Sequence, residues 1–209
     1  MKKELNIFMI TIVLFLGIAI LSALFFKPQI TISQTFDEAP LYKIYKLGLV
    51  PGEKYVYRYT AKGIPSEAAF GIVSGGSCIG ISTIGLKDQP VPCLDKNGNE
   101  AGGNNFVLSN AQIPIFKPWM LAIDEDWEWK VNRTLRIDGK PSQVEEIFLK
   151  TIGSENISGR DTFKVKTETK DLLVYSWIDK QKRVLIKEEA EYYKLELVSA
   201  PFPLELQVE

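Results

Sequence analysis

Residues 127–137 read WEWKVNRTLRI. Trp127, Trp129, Val131, Leu135 and Ile137 fall on alternate positions, broken only by Arg133. Glu128, Lys130, Asn132, Thr134 and Arg136 take the positions between. A period of two sustained this long marks a strand with one buried face, because successive side chains of a strand point to opposite sides. Asp138-Gly139 comes next, a pair suited to a tight hairpin turn, and Val144 to Ile152 reads as the returning strand.

Working outward, the same chemistry recurs. In Lys54 to Thr60, Tyr55, Tyr57 and Tyr59 share one face and Val56, Arg58 and Thr60 the other. Ala68 to Val73 and Cys78 to Ile84 are short apolar runs bounded by glycine. Phe163, Val165, Thr167 and Thr169 alternate with Lys164, Lys166 and Glu168. Leu172 to Ile178 is almost continuously apolar, which predicts a strand buried on both faces. Asp179 to Lys182 suits a hairpin loop, followed by strands over Arg183 to Glu189 and Tyr192 to Val198. Val184 to Glu191 also competes as a helix, since Glu and Lys favour helices. The short spacing between runs predicts an antiparallel meander, either a curved half-barrel or a small sandwich. Residues 85–118, dense in Gly, Pro and Asn, predict a long loop or irregular hairpins, and long ordered loops are often functional.

The N-terminal segment is of another kind. Residues 7–26 read IFMITIVLFLGIAILSALFF, 20 residues without a charge. At about 1.5 Å per residue such a helix spans a hydrocarbon core of roughly 30 Å. The run is longer than that of a cleaved signal peptide, and Leu21-Ser22-Ala23 is a poor cleavage site. Lys2 and Lys3 precede the run, so the short N-terminus is expected in the cytoplasm and the rest outside. The expected organisation is a cytoplasmic tail over 1–6, a transmembrane signal anchor over 7–26, a juxtamembrane spacer over 27–52 and an extracytoplasmic β domain over 53–209. The expected fold class is therefore mainly β, with an N-terminal transmembrane helix ahead of a meander sheet.

The order Gly159-Arg160-Asp161-Thr162-Phe163-Lys164-Val165, then Tyr175-Ser176-Trp177-Ile178-Asp179, then Arg183-Val184-Leu185-Ile186-Lys187 resembles exported lipid- and lipoprotein-carrier sheets of the LolA/LppX type. In these a glycine turn leads into a strand, a Trp-x-Asp hairpin and a strand that ends basic. The resemblance covers about a quarter of the chain and implies a curved antiparallel half-barrel, sometimes with an apolar concave face. The chain is also similar to single-span exported proteins of archaea and Gram-positive bacteria. The uncleaved-looking anchor and a disulfide loop set it apart from freely shuttling carriers.

Composition excludes several chemistries. The chain of 209 residues has no histidine, which removes Ser-His-Asp, Cys-His and His-ligated zinc mechanisms. Lys plus Arg is 25 against 26 for Asp plus Glu, so there is no basic excess for a nucleic acid. Cys78 and Cys93 are the two cysteines, and in an oxidising compartment each has the other as partner. Asn132-Arg133-Thr134 and Asn156-Ile157-Ser158 are glycosylation sequons.

The remaining motifs point weakly. Asp124-Glu125-Asp126 and Asp95 to Glu100 offer oxygen ligands, yet turn formation explains both, and no metal or cofactor is expected. No GxGxxG opens a helix, so nucleotide binding is rejected. Ser74, Ser77 and Ser82 with a lysine, or Glu145 with Glu146, could serve a His-free hydrolase, but adjacent strand residues such as the two glutamates point to opposite faces. Trp119, Trp127 and Trp129 are the candidate ligand-binding residues; filling the core of the sheet is the default alternative. The expected function is a non-enzymatic, membrane-tethered domain that binds a lipid, glycan or envelope protein. A structural accessory subunit of an envelope complex is the alternative, and a His-free hydrolase the second.

Overall fold

In the computed structural model, residues 45–85, 93–95, 98, 114–137 and 140–205 are described, together with the backbone of 32–36. The expected tail 1–6 and anchor 7–26 lie outside the described residues. Among the described residues no helix is long and apolar enough to cross a membrane.

Among the described residues eleven strands run as β1 (Ile32–Phe36), β2 (Lys54–Ala61), β3 (Ile64–Ser74), β4 (Ile79–Thr83), β5 (Cys93–Leu94), β6 (Glu128–Ile137), β7 (Lys140–Ile157), β8 (Arg160–Glu168), β9 (Leu173–Asp179), β10 (Leu185–Ala190) and β11 (Tyr193–Ser199). They form one antiparallel sheet in the order β1-β6-β7-β8-β9-β10-β11-β2-β3-β4-β5. The sheet is open, with β1 and β5 as its edges. Mainly β and meander are thus as expected, and a two-sheet sandwich is not formed. Two expectations need correction. The spacer 27–52 is not wholly a linker: Ile32–Phe36 pairs residue by residue with β6, from Ile32 opposite Ile137 to Phe36 opposite Arg133, and Leu49 is buried in the core. The helical alternative over Val184 to Glu191 is a strand, because its apolar Leu185 and its Glu188 face inward between β9 and β11.

The meander fixes which turns share an end. The turns at Lys62–Gly63, Thr169–Leu172 and Glu191–Tyr192 lie at the same end as the junction between β6 and β7. Ile32 pairs with Ile137, so the chain enters β1 there; we call it the entry end. The turns at Gly75–Cys78, Ser158–Gly159 and Lys180–Val184 lie at the far end.

One core draws on strands from β2 to β11, including Tyr55, Phe70, Ile81, Leu94, Trp129, Val165, Ile178 and Leu197. A single sheet has nothing of its own to lay across that face. The cover is the segment Ile115–Ile123, which contains a short 3-10 turn over Pro118–Leu121. Every residue in it except Lys117 is buried, and Ile115, Met120, Leu121 and Ile123 are wholly so. A segment with no exposed side has to be enclosed. The sheet curls to do this: a flat sheet would set β5 and β6 about 43 Å apart at about 4.8 Å per strand. Yet a side chain at Gly98, four residues beyond β5, would meet Phe116 and Leu121, while Trp119 stacks at 5.9 Å on Trp127, which immediately precedes β6. Gly98 has a φ of 77° and a methyl there would come within 2.8 Å of the Phe116 ring, so only glycine lets this loop close over the plug.

The plug is tied down at the far end. Leu185 N–H donates to the Ile115 carbonyl at 3.0 Å, and the Arg183 guanidinium donates to the Ile123 carbonyl at 2.7 Å. The residues of the carrier-like motif build this clamp. Arg160, after the Ser158–Gly159 turn, pairs with Asp179 at 2.7 Å, and Asp179 accepts from the backbone N–H groups of Gln181 and Lys182. Burial holds the Arg183 guanidinium below its usual value, opposed by the charge and hydrogen bond of the Tyr45 hydroxyl; the guanidinium lies 3.7 Å from the centre of the Tyr45 ring. On the outer face Trp177 is also buried: Lys164 and Lys187 lie over its ring and its Nε1–H donates to Glu155 at 2.8 Å. The edge strand β5 has only two residues, too few to hold by ladder bonds alone. Cys78 and Cys93, at disulfide distance with Cα atoms 5.5 Å apart, staple it to the β3–β4 turn.

Leu121→Ala removes a wholly enclosed side chain and is expected to cost about 2–5 kcal/mol, read as a lowered midpoint in guanidinium denaturation. A change within experimental error would show that the segment is not enclosed.

Candidate functional site

The plug covers only half of the inner face. Its contacts, Leu185, Arg183, Trp127 and Gly98, belong to the far end or the loop beyond β5. Toward the entry end the same inward-facing positions lose their cover. On β2, Tyr55 and Tyr57 are buried, but the next inward residue, Tyr59, is 41% exposed. On β3, Phe70 is buried, whereas Ala68, Ser66 and Ile64 are exposed, Ile64 by 73%. On β6, Trp129 and Val131 are buried, Leu135 is half-buried and Ile137 is exposed. Alternation along each strand is intact, so these residues point inward without being packed over.

A polar layer marks where the packed half stops. Glu188 of β10 faces inward, where the alternation would otherwise place an apolar residue. It accepts hydrogen bonds from Tyr193 at 2.7 Å, Ser176 at 3.1 Å and Lys117 of the plug at 3.3 Å. Burial pushes its carboxyl up, but the Lys117 charge and these three donors outweigh burial, and the group sits below its ordinary value. Burial and the Glu188 charge in turn push the Tyr193 hydroxyl well up. Across the sheet, Arg133 and Glu145 form a second inward ion pair, which resolves why Arg133 interrupts the apolar alternation. Burial opposes ionisation of Glu145, and the hydrogen bonds from Arg133 and Thr169 outweigh it. Tyr59 lies beside Tyr193 of this layer, with ring centroids 5.7 Å apart. The arrangement is a half-open inner face with apolar and tyrosine walls beside two inward ion pairs. It has the parts of a binding surface for an amphiphile.

The sequence-selected residues lie elsewhere. Trp119, Trp127 and Trp129 are all buried in the packed half, two of them stacked on each other. Packing around the plug accounts for them, and none reaches the exposed half. Glu145 and Glu146 do point to opposite faces: Glu146 pairs with Lys130 outside. Asn132 and Asn156 are both exposed on strands, β6 and β7. Among the described residues no group of acids, cysteines or histidines is placed to hold a metal ion. The residues sequence reading missed are Glu188, Ser176, Tyr193 and Tyr59. The available signal was Glu188, a glutamate on the inward register that Leu185 and Ala190 otherwise fill.

Acid should reveal the Glu188 layer. The folded value of Glu188 lies below the ordinary 4.5. Its stabilisation is therefore full above that value and is lost as pH falls through the folded one. Glu188→Gln is expected to lower stability near neutrality by about 1–3 kcal/mol and to flatten the acid limb. The check is a series of denaturant midpoints from pH 7 to pH 3. Glu53 and Glu145 are likewise held low and remain in both proteins, so the difference isolates Glu188. Parallel acid limbs would remove the carboxylate from the account.

No family model matches the chain, and no curated protein matches it. Among solved structures it is similar to MucB in complex with MucA(peri), at 8% identity and a TM-score of 0.38, over 74% of this chain and 51% of that one. It is also similar to the hypothetical lipoprotein YmcC from Escherichia coli (K12), at 10% identity and a TM-score of 0.36, over 75% of this chain and 90% of that one. The chain thus spans about half the length of the MucB chain. Likenesses this distant carry no argument about what the protein binds.

Proposed function

We propose that the protein is a non-enzymatic, extracytoplasmic binding domain tethered by residues 7–26, and that it takes an amphiphile of lipid type on the entry-end half of its inner face. The observation that carries this reading is the exposure of inward-facing Tyr59, Ile64 and Ala68, while Tyr55, Tyr57 and Phe70 on the same faces of the same strands are buried. Leaving apolar positions of a curled sheet uncovered forgoes burial worth about 25 cal/mol per Å², and a bound chain would recover it. The tether reading rests on the uncharged run 7–26. The Cys78–Cys93 pair supports an oxidising compartment.

Native mass spectrometry of the full chain, extracted gently from its source membrane, tests the ligand. The expected result is a reproducible added mass that dissociates as a lipid and is lost in Tyr59→Glu. A clean unliganded mass in repeated preparations would overturn the lipid reading. An added mass that fragments as a glycan or peptide would replace lipid by that class.

A further inference from the structure

Exposed apolar side chains are not spread evenly over this domain. The three most exposed large ones are Ile64, Val144 and Tyr192, at 73%, 66% and 64%. All three belong to the entry end: Ile64 follows the β2–β3 turn, Tyr192 forms the β10–β11 turn and Val144 lies on the first stretch of β7. Ile137, Leu172 and Leu173 are exposed at the same end: Ile137 closes β6, Leu172 is in the β8–β9 turn and Leu173 opens β9. Four successive hairpins thus carry an apolar residue at or beside their tips. Nothing in the meander requires this, since a hairpin tip is normally polar. At the far end the tips are Ser158–Gly159, Lys180–Gln181 and Gly75–Ser77, with no large apolar residue.

The chain itself says which surface meets this rim. β1 begins at Ile32, at the entry end, and only residues 27–31 separate it from the uncharged run 7–26. Five residues span at most about 18 Å when fully extended. If the run crosses a bilayer, as the tether reading on which this inference rests requires, the entry end is held within reach of that bilayer's surface. The tips carry Lys62, Lys140 and Lys170 against Asp171 and Glu191, a nearly balanced set. Attraction to anionic lipid is therefore weak, and contact has to come from the apolar and aromatic tips. Tyrosine with neighbouring lysine suits the headgroup boundary, where an amphipathic ring and a snorkelling amine are both accommodated.

We propose that the entry-end rim, Ile64, Tyr192, Leu172 and Val144, rests on the lipid bilayer that holds the chain, so that the open half of the inner face meets the membrane surface directly. A ligand would then pass between bilayer and inner face without crossing water.

The test uses the full chain in zwitterionic nanodiscs, with the photoreactive residue p-benzoylphenylalanine placed singly at Ile64, Leu172 or Tyr192. Val50 and Val73, exposed at the far end, are the controls. The expected result is phospholipid adducts at the three rim positions about tenfold above the controls, unchanged by added salt. Equal yields at rim and control would overturn the proposal, as would rim adducts to protein instead of lipid. Equal adducts in detergent-washed protein would assign the lipid to the inner face alone and also overturn it. Carbonate extraction runs in parallel. Release of the chain overturns the tether and this proposal together, whereas retention without rim adducts overturns the docking alone.

Discussion

The enclosure of Ile115–Ile123 is the constraint on which this structure depends. An open sheet of eleven strands has one apolar face and no partner layer. Curling alone leaves a hollow, and a hollow lined by Tyr57, Val165 and Ile178 would collapse or fill with another chain. The segment supplies the missing layer from within the chain. It sits between β5 and β6, the second and last positions of the sheet's lateral order. Its closure is also why Gly98 has to be glycine and why Trp119 and Trp127 stack.

Because the plug is short, it fills only one half. At the far end the Asp179 and Arg183 clamp fastens it to the β9–β10 hairpin, and each charged group there is committed to a backbone or ion partner. The outer face of the central strands is closed in a different way, by Lys164 and Lys187 lying over Trp177. Among the described residues the entry-end half has neither device. Exposure there follows from where the plug stops, and the inward side chains remain of the type a core would use.

Much of this was legible in the chain. The alternation over 127–137 and the Tyr55-Tyr57-Tyr59 stripe gave strands in the right register, and Leu172 to Ile178 gave β9, although its first residues are exposed because they reach the rim. The plug was not legible. Ile115–Ile123 has no period, and a run enclosed on all sides shows neither a helical nor a strand stripe. β1 was missed for a related reason: a five-residue edge strand pairing with a partner a hundred residues away carries no local signal of its role. The three tryptophans illustrate the limit of composition. They were the largest apolar resource in view, and the fold uses them for packing, Trp119 within the plug and Trp127 and Trp129 around it. Tyr59 and Ile64, whose types are ordinary for strands, became notable only when the structure showed these inward positions exposed.

Glu188 shows how the two halves are kept distinct. A leucine at that position would extend the packed core by one more layer and invite the walls beside it to close on themselves. A glutamate held by Lys117, Ser176 and Tyr193 stops this, since removing any one partner leaves a buried charge or hydroxyl unsatisfied. The layer also ties the plug to the sheet, because Lys117 is the only residue of Ile115–Ile123 that is not buried and it is the one that reaches Glu188. The carboxylate is already neutralised, so the layer exerts no net demand for a cationic ligand. Selection in the open half then falls to shape and apolar area along Tyr59, Leu195 and Leu135. On the proposed lipid reading, such a wall suits a flexible acyl chain better than a charged group, because apolar area and not charge is what it offers.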